Sequence, residues 1–72
     1  MTRHELALLR LADLSPRESE VVAGIVSGLR PKEIARGLGI SNRTVESHIE
    51  HARAKLGARN VQDLVRIALT GE

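Results

Sequence analysis

The sequence contains no cysteine, phenylalanine, tryptophan or tyrosine. Without cysteine, neither a disulfide framework nor a cysteine zinc site can staple the fold, so stability has to come from packing Leu, Ile, Val and Ala. Without aromatic rings there is no platform of the kind that usually holds the unstacked bases of a single strand, so a nucleic-acid partner is expected to be duplex. No apolar run reaches bilayer-spanning length, and the N-terminus lacks a basic stretch followed by an apolar signal core. A soluble cytoplasmic chain with no membrane partner is the expectation. No residues assemble an acid, a base and a nucleophile in a recognisable arrangement, so the chain is not read as an enzyme and no cofactor is expected. At 72 residues a single aliphatic core only just outweighs the entropy of ordering the chain, so burial against a partner would matter.

Charge is present, and it is uneven. The net charge is only +2. Residues 30–59, however, hold seven basic side chains (Arg30, Lys32, Arg36, Arg43, Arg53, Lys55, Arg59) against three acidic ones (Glu33, Glu46, Glu50), a local +4, and the remainder sums to −2. The basic surface therefore belongs to the middle of the chain.

Helix punctuation fills most of the sequence. Residues 3–12 are helix-compatible, with Leu6 and Leu9 on one side and Leu8 and Leu11 on another. Ser15-Pro16-Arg17-Glu18 is a strong start, with a capping Ser, Pro at the first helical position and Glu18 placed to bond back to the Ser15 amide. Val21, Val22, Ile25 and Val26 follow at helical spacing until Gly28. A second helix opens at Pro31 with Ile34, Ala35 and Leu38 inward. Its cap position is Arg30, which cannot cap, so a frayed entry is expected. Gly37-Leu38-Gly39-Ile40-Ser41 then turns the chain, with Gly39 expected in the left-handed conformation and Ser41 capping a third helix over residues 42–56. Gly57 stops that helix, and a fourth runs over residues 60–70.

At about 100° per residue, Val45, Ile49, Ala52 and Leu56 of the third helix form a narrow stripe that must face the core. Arg43, Ser47, Glu50 and Ala54 then project directly away, with Thr44, His51 and Lys55 on one flank and Glu46 and Arg53 on the other. Such an outward row fits a major groove, where it meets base edges while the flanks meet phosphates. For Lys32, Arg36, Arg43 and Lys55, clustered around one groove-sized helix, phosphate contact is favoured over a merely solvated face, and His51 is a phosphate neighbour. Glu46 and Glu50 point where a polyanion would lie. They either pair locally, Arg43 with Glu46 and Glu50 with Arg53, or accept from cytosine N4. His48 and His51 are also three apart, but with no third ligand nearby they are not read as a metal site. His48 is expected to be packed and hydrogen-bonded at the edge of the core.

Four stretches together resemble the LuxR/FixJ (GerE-like) helix-turn-helix family: Leu-Ser-Pro-Arg-Glu at residues 14–18, Lys-Glu-Ile-Ala at 32–35, Arg-Thr-Val-Glu-Ser-His at 43–48 and Lys-Leu-Gly-Ala-Arg-Asn at 55–60. Leu64-Val65-Arg66-Ile67-Ala68-Leu69 adds a likeness to the output domains of FixJ-type response regulators. The resemblance covers residue 14 to about residue 69. It implies an all-α, four-helix domain over residues 14–72, preceded by a helix-compatible segment at 1–13. It implies too that the third helix reads double-stranded DNA and that the fourth helps pair two protomers on an inverted repeat. It also implies base contact by Glu46, Ser47 and Glu50, backbone contact by Thr44 and Lys55, RNA polymerase as a further partner and a place at the bacterial nucleoid. Arg30 and Glu50 depart from the family's usual pattern. No receiver or ligand-sensing module is present in these 72 residues, so the chain is either a stand-alone regulator or an output domain, and Met1 does not decide which.

The fourth helix is more apolar than one core stripe requires. By spacing, Leu64, Ala68 and Ile67 face the core and leave Val61, Val65 and Leu69 as an outward seam for a weak, DNA-stabilised homodimer. Two rival readings remain. The promoter-reading fourth region of sigma factors has a similar pattern but usually ends near Leu56, short of this fourth helix. A module that kept the fold and lost DNA, sequestering a relative by heterodimerisation, is motivated by Glu46 and Glu50.

Overall fold

The structure, a computed structural model, describes residue 5 and residues 11–71. Four helices follow one another: α1 (Pro16–Val26), α2 (Pro31–Leu38), α3 (Asn42–Leu56) and α4 (Val61–Thr70). Among the described residues there is no strand. Leu11 and Ala12 are helical, and the rest of the helix expected over residues 1–13 falls largely outside the described residues.

Each start follows its sequence signal. Ser15 Oγ accepts the Glu18 N–H at 3.1 Å, and the Glu18 carboxylate accepts the Ser15 N–H at 2.9 Å, a reciprocal box that satisfies two donors at the head of α1. Ser41 Oγ accepts the Thr44 N–H at 3.0 Å to open α3, and Asn60 Oδ1 accepts the Asp63 N–H at 2.8 Å to open α4. Asp63 in turn accepts the Arg59 N–H at 2.9 Å. That backbone bond, with Arg66 beside it, holds the Asp63 carboxyl below the usual aspartate range.

The frayed start expected for α2 is not found. Arg30 offers no side-chain cap, but Glu33 Oε1 accepts the Arg30 N–H at 2.9 Å and the Arg30 carbonyl takes the N–H of both Glu33 and Ile34. Half of a capping box plus the preset φ of Pro31 therefore closes the first turn. Gly39 ends α2 at φ 68°, as expected, and the Ile40 N–H reaches back to the Ala35 carbonyl at 3.0 Å.

α3 lies at the centre, packed against α1, α2 and α4, and α1 also meets α2 and α4. The core is Val21 and Val22 of α1, Ile34 and Ala35 of α2, the whole predicted stripe Val45, Ile49, Ala52 and Leu56 of α3, and Leu64 and Ile67 of α4. Ala58, in the turn after Gly57, is buried with them although its sequence position carries no signal. Gly24 marks the closest helix approach. A Cβ there would sit 2.8 Å from Cγ1 of Ile34, so the missing side chain is what lets α2 lie against α1.

Candidate nucleic-acid interface

Because Val45, Ile49, Ala52 and Leu56 are buried, the opposite face of α3 is turned away from the core. Arg43, Thr44, Glu46, Ser47, Glu50, His51, Ala54 and Lys55 are all exposed. Lys32 and Arg36 are exposed on α2, which packs against α3. Among the described residues, the side chains of Lys32, Arg36 and Arg43 have neither a hydrogen-bond nor an ion-pair partner. No described carboxylate offsets their charge, which suits them to an anion.

The flank of α3 is different. Lys55 Nζ donates to Glu18 Oε1 at 2.7 Å and to the Asp13 carbonyl at 3.2 Å, and His51 Nδ1 lies 3.9 Å from Glu18 Oε2. The Glu18 side chain is only 6% exposed, against 40% for Lys55 and 66% for His51. The carboxylate that closes the first turn of α1 thus also clamps α3 to α1. The Lys55 ammonium, followed by the Ser15 N–H, holds the Glu18 carboxyl below the usual glutamate range against the opposing effect of burial. Of the three ammonium protons of Lys55, at most one remains for a phosphate. Sequence spacing could not show this cluster, because Glu18 and Lys55 are 37 positions apart.

The two glutamates, alike in the sequence, part company in the structure. Glu50 receives Arg53 Nε–H at 3.0 Å and Nη2–H at 2.5 Å, a two-pronged pair. Arg53 holds its carboxyl below the usual range, while Glu50 raises the guanidinium pKa above its ordinary value. Glu46 has no such bond to Arg43 or to any other described residue. Thr44 Oγ1 lies 2.8 Å from Ser41 Oγ, so its hydroxyl is shared with the cap. His48 is half-buried, but its Nδ1 is enclosed with no partner, contrary to the hydrogen-bonded ring expected. Among the described residues no group of three metal-ligating side chains occurs, and no helix is long and apolar enough to cross a membrane.

On α4, Leu64 and Ile67 are buried and Ala68 packs against the core, as the spacing required. Of the expected seam, Val61 is 42% exposed and Leu69 65%, but Val65 is half-buried. Val61 and Val65 share an open groove of about 610 Å³ with Ile25, Leu29, Pro31 and Ile49. Leu29, 44% exposed, extends the apolar surface beyond α4 and was not singled out by its sequence position.

The family model described as bacterial regulatory proteins, luxR family, matches residues 12–68. The transcriptional regulatory protein FixJ of Rhizobium meliloti (strain 1021) is 48% identical over 62 residues, which are 86% of this chain and 30% of that protein. The C4-dicarboxylate transport transcriptional regulatory protein DctR of Rhodobacter capsulatus is 52% identical over 50 residues, 69% of this chain and 25% of its own length. A crystal structure of full-length FixJ from B. japonicum superposes with a TM-score of 0.85 at 38% identity, covering 94% of this chain and 34% of that one. The chain thus spans about a third or less of the relatives it matches.

Proposed function

This chain belongs to the LuxR family of bacterial regulatory proteins, and from that premise we propose that it is a sequence-specific, double-stranded-DNA-binding transcriptional regulator with α3 in the major groove. Glu46, Ser47 and Glu50 face base edges. Lys32, Arg43, Thr44 and His51 face phosphates, with the remaining proton of Lys55 beside them. The observation that carries this reading is the exposed face of α3, with the side chains of Lys32, Arg36 and Arg43 unpaired among the described residues. α4 pairs two protomers on an inverted repeat through Val61 and Leu69, with Val65 at the edge. That surface is too small for a tight dimer in solution, so pairing depends on two half-sites raising the effective concentration. In the cell, the same reading puts the chain at the bacterial nucleoid in the cytoplasm, with RNA polymerase as a further partner.

The alternative of a module that binds a relative and no DNA loses half of its motive, because the charge of Glu50 is offset by Arg53. The test is selection from random duplex DNA. An inverted repeat should be recovered, and Ser47→Ala should relax one position in each half-site. Recovery of no sequence preference by a folded protein would contradict the reading.

A further inference from the structure

Arg53 commits three nitrogens. Nε and Nη2 donate to the two oxygens of Glu50, and Nη1 donates to the Ala58 carbonyl at 2.7 Å. That carbonyl belongs to a buried residue whose own N–H bonds the Arg53 carbonyl at 3.0 Å, so the guanidinium is anchored at the turn that closes α3. A glutamate 64% exposed on a helix surface would ordinarily sample several rotamers. One gripped by a planar fork that is itself fixed at a third point has its carboxylate set in position and plane. The fork leaves each carboxylate oxygen a second lone pair. It also offsets the negative charge that would otherwise oppose approach to phosphates. Among the described residues, none supports Glu46 in this way.

We infer that Arg53 is the positioning residue for Glu50, orienting its carboxylate outward from α3 to accept from cytosine N4 and so select a C·G pair at one position of each half-site. This rests on the DNA-binding reading above. It makes Glu50 the stronger determinant of the two glutamates and gives Arg53, which reaches no base itself, a part in sequence choice.

The experiment is a parallel selection from random duplex DNA with the wild-type chain, Arg53→Lys, Glu50→Ala and the double variant, beside binding of the wild type to a mixed-sequence duplex at several salt concentrations. Lysine keeps the charge but cannot form the fork. One C·G preference, about tenfold in the wild type, should flatten in Arg53→Lys as in Glu50→Ala, with no further loss in the double variant. Retention of the preference in Arg53→Lys would overturn the inference, as would a wild-type motif with no Glu50-dependent position. A purely structural role of Arg53 would appear as an effect that persists in the Glu50→Ala background, and that too would overturn it. Absence of salt-dependent duplex binding by the wild type would instead sink the DNA-binding reading and this inference with it. Should Arg53→Lys fail to fold, NMR of the wild type decides: a slowly exchanging Arg53 Nε–H supports the fork, and a signal typical of a free guanidinium refutes it.

Discussion

At Glu18 one carboxylate closes the first turn of α1 and holds α3 against it. Glu18→Gln keeps an acceptor for the Ser15 N–H but loses the charge facing Lys55, and should destabilise the domain by about 1–2 kcal/mol at neutral pH, read from the denaturation midpoint. Because the folded-state pKa is depressed, this stability is present above the ordinary glutamate pKa of about 4.3 and is lost as pH falls through the lower folded value. The variant should therefore show a flatter acid limb in a stability-against-pH series. A limb as steep as that of the wild type would show that Glu18 does not carry the linkage. Glu46, exposed beside the expected phosphates and unpaired among the described residues, gives the opposite kind of prediction. Glu46→Gln should raise affinity for a mixed-sequence duplex a few-fold while relaxing one base position, and a fall in non-specific affinity would argue against its placement. The local half of this chemistry was legible from spacing, since the box at Ser15 and Glu18 and the Glu50–Arg53 option are three residues apart. The Lys55–Glu18 bond and the unpartnered Nδ1 of His48 were not, because both depend on how helices distant in sequence come together.

Among the elements, α3 was the most legible. Its stripe of Val45, Ile49, Ala52 and Leu56 is buried without exception, because one apolar face at helical period leaves a single way to dock. α2 shows the limit. Its weak cap suggested fraying, but Pro31 and Glu33 supply what Arg30 cannot. Nor did the sequence reveal why α1 carries Gly24, which matters only once Ile34 lies against it. Gly24→Ala should gain about 1 kcal/mol in helix propensity and lose about 1–3 kcal/mol to overpacking, for a net loss in thermal stability. A clear gain would mean that Ile34 can move aside. For α4 the half-buried Val65 changes which variant tests pairing. Leu69→Glu, on the most exposed apolar residue of the helix, should leave the monomer folded and remove cooperative occupancy of an inverted repeat. Val65→Glu should also weaken the fold, because its carboxylate would enter the groove with Ile25 and Ile49. Cooperativity that survives Leu69→Glu would place the pairing surface elsewhere.

At the scale of the whole molecule, the charge layout legible in the sequence becomes a surface. The acidic excess outside residues 30–59 includes Glu18 and Asp63, which the fold pairs with Lys55 and Arg66. Among the described residues, the side chains of Lys32, Arg36 and Arg43 have no such partner. That division, with one side of α3 in the core and the other unopposed, is the basis for reading the chain as a DNA-binding domain. The most direct test is the salt dependence of binding to a mixed-sequence duplex, compared among the wild type, Lys32→Ala and Arg43→Ala. Log affinity should fall linearly with log salt concentration, and each substitution should flatten the slope by about 0.9 per lost phosphate contact without altering the melting temperature. Slopes unchanged in both variants, or no measurable duplex binding by a folded wild-type chain, would contradict the account.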